Sequence, residues 1–340
     1  MRNVLRVVAI IILVFLGGFA YLYFRSPTTA PPLNIVVDKS PERVARGKYI
    51  FTTVSDCDFC HSEQDPTRLA LPIIESTRGQ GKLMPDTDLP GQIYARNITP
   101  DVETGIGSWT DGEKIRAIRE GVDKDGHALY SIMPYSFYRY MTDEDVQSVV
   151  AFLDTLPPIK HQLPPTKVNF PDSMWMKGDP QPVRESRKPP DRNNKLQYGE
   201  YMATMAHCEV CHTPYPPLKL LGIKMIALSE DTSLRFAGGR HFVAGPFGDV
   251  YSANITPDKT TGIGDWDLKR FHDRLKLYLE YDTPEGPPKV GPDRLTFMPY
   301  QAFSHLDDYD IECIYRYLMS RPPIEHKVDA HPGMPERKEP

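Results

Sequence analysis

The chain has 340 residues, 40% of them hydrophobic and 25% charged, with a net charge of -5 and 34 prolines. That length leaves room for two domains with modest cores, and the proline content argues for many loops rather than long regular elements. The acidic balance provides no basic footprint, which excludes nucleic acid as an expected partner.

The first segment, MRNVLRVVAIIILVFLGGFAYLYFR, carries no charge between Arg6 and Arg25. As a helix rising 1.5 Å per residue, Val7 to Phe24 would extend about 27 Å, close to the thickness of bilayer hydrocarbon. Arg2 and Arg6 precede it, so the N-terminus is expected in the cytoplasm and the rest outside. That describes a single membrane pass, with the bulk of the chain exported. A cleaved signal peptide would have a short apolar run and a small-x-small exit. Here Tyr21, Tyr23 and Phe24 crowd the exit, as aromatic residues do at a membrane interface. Residues 1–25 are therefore read as a retained anchor rather than a signal peptide.

Beyond the anchor the chain repeats itself. NITPDVETGIGSW from Asn97 recurs as NITPDKTTGIGDW from Asn254. MPYSFYRYMTDEDVQSVVAFLDTLPPI from Met133 recurs as MPYQAFSHLDDYDIECIYRYLMSRPPI from Met298. Each copy opens with a helical stretch, in which GKY at Gly47 matches GEY at Gly199, and each carries C-x-x-C-H. This predicts two homologous modules, 40–158 and 195–325, joined by a linker, 159–194, and followed by a tail, 326–340. Nine prolines between 157 and 190 forbid a helix of any length in the linker. Met174 and Trp175 are expected to pin it by packing; the alternative is that they wall the edge of a bound prosthetic group.

The C-x-x-C-H strings are Cys57, Cys60 and His61, then Cys208, Cys211 and His212. On a helix, positions i, i+3 and i+4 share one face. Two thiols on that face can add to the vinyl groups of a haem, and the adjacent imidazole then falls beneath the iron. Zinc would need four ligands, usually from two nearby pairs, and each module has a single cysteine pair with no matched residue to complete it. His127 and His241 have no aligned partners. A thioredoxin-type dithiol would follow a strand, whereas a helical stretch precedes it here. The fifth cysteine, Cys313, reads as a small apolar residue on a helix.

A low-spin electron carrier also needs a sixth ligand, usually Met or His. Met133 aligns with Met298, while Met141 aligns with Leu306, which cannot bind iron. Met141 instead precedes Thr142, a good N-cap, and would face Val146 as a hydrophobic staple; Leu306 and Ile311 take those places around Asp307. Met133 and Met298 are thus the expected axial ligands. Trp109 and Trp266 fit two readings, an indole N–H donor to a haem propionate or an aromatic plug over the haem edge.

With C-x-x-C-H, NITPD.TGIG.W and MPY..F in both modules, the chain resembles the cytochrome c subunits of bacterial membrane-bound alcohol and gluconate dehydrogenases, and more widely membrane-anchored dihaem cytochromes c. The resemblance covers most of the part after the anchor. It implies that Cys57, Cys60, His61 and Met133 attach and ligate one haem c, and Cys208, Cys211, His212 and Met298 another. The dehydrogenase subunits usually carry three haems, whereas two C-x-x-C-H strings stand here. The expected fold is mainly α, two tandem class I cytochrome c domains after one transmembrane helix. The expected work is one-electron relay from a dehydrogenase or quinol-oxidising partner to a cytochrome or terminal oxidase, without catalysis by the chain itself. A dihaem peroxidase would need one releasable sixth site, and the same MPY in both modules speaks against it. A haem-bearing structural subunit of a larger respiratory complex is the other alternative.

Overall fold

The computed structural model describes residues 2–84, 89–215, 218–220, 223–225, 231–243, 249–289 and 296–332. Helix α1, Arg2–Phe24, is long and apolar enough to cross a membrane, and none of its residues is buried by the rest of the chain. The remaining helices are short, as the proline content requires, and the strands among the described residues form only two-stranded pairs.

In the first half, α2 (Pro41–Tyr49) begins with Pro41 in its first turn, where a missing N–H costs nothing, and runs into a π-helical turn, Ile50–Val54. Asp56, at φ 40°, turns the chain into α3, Cys57–His61. Helix α4, Asp111–Glu120, starts at a reciprocal capping box between Thr110 and Glu113 and stops at Gly121, whose φ of 71° suits glycine. The one-turn α5 (Tyr135–Tyr138) leads to α6 (Asp143–Leu153), where the Thr142 hydroxyl accepts from the Asp145 N–H as an N-cap. Met141 and Val146 are both 1% exposed in the core beside that cap. The linker holds one α-helical turn, α7 (Asp172–Trp175), continued by a 3-10 turn, Met176–Gly178, so its prolines shorten helix without abolishing it.

The second half repeats this order with α8 (Lys195–Met205), α9 (Cys208–His212), α10 (Leu268–Lys276), α11 (Tyr300–Phe303) and α12 (Asp308–Met319). Two details differ. Helix α8 reaches the cysteine turn without a π-helical stretch. Asp307 stands at the N-cap of α12, but its side chain caps nothing; its backbone N–H donates instead to the Tyr49 hydroxyl of the first half, at 3.0 Å.

The first and last long helices of each half cross at a glycine. A Cβ on Gly47 would lie 1.8 Å from the Ser148 carbonyl oxygen, and one on Gly199 would lie 2.0 Å from that of Cys313. Hydrogen in place of a side chain lets α2 press onto α6 and α8 onto α12. Cys313 is fully buried on α12.

The two halves share one hydrophobic core, and their contacts are reciprocal. Tyr49 donates to Asp310 Oδ2 at 2.7 Å, and its aligned counterpart Tyr201 donates to Asp145 Oδ2 at 2.5 Å. Each tyrosine oxygen also accepts the N–H of the helix-capping residue opposite, Asp307 or Thr142. Likewise α5 packs on α8, and α11 packs on the π-helical turn after α2. The loop that lengthens the second half docks on the first, where Arg68 donates to the carbonyls of Glu285 and Pro287.

The two tyrosine clasps should not be equal. Asp145 keeps a bidentate partner in Arg46, at 2.8 and 2.9 Å. Asp310 is fully buried, and its ion pair among the described residues is the distant one to Arg192, at 3.8 Å. Tyr49→Phe is therefore expected to cost about 2 kcal/mol, near the worth of a hydrogen bond to a charged group. Tyr201→Phe is expected to cost about half as much. Urea unfolding of the two variants measures both.

Candidate functional site

One continuous cavity of about 2090 Å³ runs through both halves. That is roughly twice the upper end of an ordinary small-molecule pocket of about 1,000 Å³. Its walls include Cys57, Cys60, His61 and Met133 from the first half and Cys208, Cys211, His212 and Met298 from the second. All eight sequence-predicted residues thus open onto one space.

The local chain explains why. A left-handed residue, Asp56 or His207 (φ 57°), breaks the preceding helix and starts a five-residue turn that presents both cysteines and the histidine. The Cys60 thiol is pushed up to about 11, by burial first and with Cys211 of the other half among the causes. Cys208 is pushed up to about 12, again chiefly by burial. A space that resists charge this strongly suits an apolar macrocycle.

Each histidine is held the same way. His61 Nδ1 lies 2.8 Å from the Arg96 carbonyl oxygen, and His212 Nδ1 lies 2.6 Å from that of Ala253. Such a carbonyl fixes the tautomer with the proton on Nδ1 and leaves Nε2 to ligate. Burial lowers both imidazoles, His61 to about 4, which keeps them neutral as a ligand must be.

Those two carbonyls are themselves positioned. The next residue in each case is the asparagine of NITPD. Asn97 Nδ2 donates to the Ile159 carbonyl at 2.8 Å and to Thr104 Oγ1 at 3.0 Å. Its Oδ1 accepts the Thr99 N–H at 3.0 Å. Asn254 makes the matching bonds to Ile324, Thr261 and Thr256. Both asparagines are buried, so these bonds satisfy groups that water cannot reach. The signal in the sequence was PPIKH at Pro157 against PPIEH at Pro322. His161 Nδ1 and His326 Nδ1 close the same loop on the Gln80 and Ala237 carbonyls.

Met133 and Met298 sit in equivalent turns, in which Tyr135 N–H donates to the Met133 carbonyl and Tyr300 N–H to that of Met298, both at 2.7 Å. Trp109 and Trp266 border the cavity as well, with the Arg270 guanidinium 4.5 Å over the Trp266 ring. From the linker, Gln162, the stretch from Pro165 to Val168, Ser173 and Met176 reach the cavity wall; Met174 is buried, packing that segment in place, and neither it nor Trp175 lines the space. The His127 side chain is 77% exposed and lies 3.3 Å from Asp123.

No family model matches the chain. It is 30% identical over 285 residues, 82% of its length, to the gluconate 2-dehydrogenase cytochrome c subunit of Pantoea cypripedii. It is 29% identical over 299 residues, 84% of its length, to the cytochrome c subunit of alcohol dehydrogenase (quinone) of Gluconacetobacter polyoxogenes. The chain covers 59% and 58% of those two relatives, so it spans little more than half of their length. A dihaem c-type cytochrome of Cereibacter sphaeroides is 29% identical over 324 residues, 92% of this chain and 97% of the relative. Over most of its length, the chain is thus a homologue of cytochrome c subunits of gluconate and alcohol dehydrogenases and of a dihaem cytochrome c.

Proposed function

We propose that this chain is a membrane-anchored electron-transfer protein with two covalently bound haem c groups, one in each of two tandem class I cytochrome c domains. Cys57 and Cys60 would form the thioethers of the first haem, with His61 and Met133 as its axial ligands. Cys208 and Cys211 would hold the second, with His212 and Met298. The observation that carries this reading is the shared cavity, onto which two complete and equivalent donor sets open.

The residues fit the group. Paired thiols for covalent attachment, imidazoles tied at Nδ1 and methionine thioethers in a matched turn are the residues that a six-coordinate haem c would need. Haem, when bound, supplies one-electron redox chemistry. The chain supplies the rest. Arg96 and Ala253 orient the imidazoles through their carbonyls. The asparagine clasps hold those carbonyls still, so the ligands need not rearrange when charge changes. The core residues Phe51 and Val149 on one side and Ile314 and Leu318 on the other exclude water. A thioether ligand favours ferrous iron and keeps both potentials high for a haem.

Both sites opening into one space supports relay between them inside a single chain. The apolar α1 supports attachment to the inner membrane with the haem domains in the periplasm. The named relatives support a dehydrogenase as electron donor, with a downstream cytochrome or oxidase as acceptor.

The test is haem count. After denaturing electrophoresis the band should keep haem stain, and the intact mass should exceed that of the bare chain by two haems. One haem, or none, would overturn the assignment of the two donor sets.

A further inference from the structure

The linker does more than join the two halves. Its segment from Phe170 to Gly178 is docked on the exit of α1. The Arg25 Nη2 donates to the Trp175 carbonyl at 3.0 Å. Its guanidinium occupies the space over Gly178, where a Cβ would come within 2.4 Å of Nη2. Lys177 Nζ donates to the Tyr23 carbonyl at 2.8 Å and stands 5.7 Å from the Tyr23 ring. The Phe170 ring lies 6.1 Å from that of Phe19, while Phe170 itself is 62% exposed.

The depth of Phe19 gives these contacts their meaning. It precedes Phe24 by five residues, which at 1.5 Å per residue is about 7.5 Å along the helix. If α1 spans a bilayer up to its aromatic end, a ring level with Phe19 stands about 5–10 Å inside the headgroup boundary, the depth of an interfacial apolar face. Lys177 and Arg25 stand at the level of Tyr23 and beyond, where cations meet phosphate. The exposed ring of Phe170 then faces lipid, not water.

We propose that residues 170–178 form a second, interfacial membrane contact, in which Phe170 inserts beside Phe19 among phospholipid acyl chains. The consequence is orientation. The preceding Lys167–Val168 strand pairs with Gly91–Gln92 of the first half, and Ser173 and Met176 wall the cavity. The first half, not the second, is therefore lashed against the bilayer, with its side of the cavity next to the membrane plane. This rests on α1 being a retained anchor and is independent of the haem assignments.

The full chain, carrying its haem, would be placed in nanodiscs of phosphatidylcholine and phosphatidylglycerol with a photoreactive benzoylphenylalanine at position 170. That residue keeps an aromatic ring there, and retained haem stain shows that the chain is folded. The same group at Leu196, which is 50% exposed on α8, is the comparison. Illumination is expected to yield phospholipid adducts at 170 at least tenfold above those at 196. Equal yields at the two positions, or adducts at 170 only to protein, would overturn the contact. So would a mature chain that begins near Ser26, because the seat for the segment would be gone.

Discussion

Met133→Ala is expected to let one of two haems per chain bind carbon monoxide when reduced, and Met298→Ala the other; the wild type should bind none. If Met133 and Met298 are the ligands proposed above, each change would remove one ligand and leave the cysteine attachments and the histidine in place, so one iron would turn high-spin while its neighbour kept its spectrum. The two turns have the same backbone pattern, so the two variants should behave alike. Replacement by histidine should restore six-coordination at a lower potential, because imidazole supports ferric iron better than a thioether does. Met141→Ala separates ligation from packing. Met141 also borders the cavity, but it is 1% exposed against the cap of α6. Its truncation is expected to cost about 2–5 kcal/mol, as for other buried methionines, and to leave the spectrum alone. A high-spin signal from Met141→Ala with none from Met133→Ala would reassign the ligand in the first half.

Gly47→Ala is expected to destabilise the chain by about 3 kcal/mol, at the upper end of the range for overpacking, and Gly199→Ala by a similar amount. The atom that a new methyl would meet is a backbone carbonyl oxygen, at 1.8 Å in one case and 2.0 Å in the other. A flexible side chain could turn away, but a helix carbonyl moves only if its helix moves. Separating α2 from α6 would shift the cysteine turn that follows α2 relative to the Met133 turn that precedes α5 and α6 in the chain. The variants should therefore show weaker methionine ligation as well as lower stability. Urea unfolding reads the first effect, and the carbon monoxide reactivity of the reduced chain reads the second. Unchanged stability in both variants would mean that the crossings are looser than these contacts indicate.

Much of the site was legible because it is local. C-x-x-C-H places two thiols and an imidazole on one helical turn by spacing alone, and the internal repeat favours Met133 over Met141 because iron cannot use Leu306. The N-cap at Thr142 and the anchor could be read for the same reason, since capping and hydropathy act over a few residues. What escaped reading depends on contacts between distant segments. Asn97 was legible only as the first residue of a repeated phrase, yet its amide reaches Ile159 and steadies the carbonyl that holds His61. Asp307 looked like a cap, but its N–H is taken by Tyr49 from the other half. The linker looked like a spacer, and its docking on Arg25 and Tyr23 has no signature in its prolines. The sequence by itself determined the repeat, the two C-x-x-C-H turns and the apolar helix, because each is written in residue type and short spacing. Only the tertiary structure decided that the two sites share one cavity and that reciprocal tyrosine clasps join the halves, because burial and hydrogen-bond partners arise when remote segments meet.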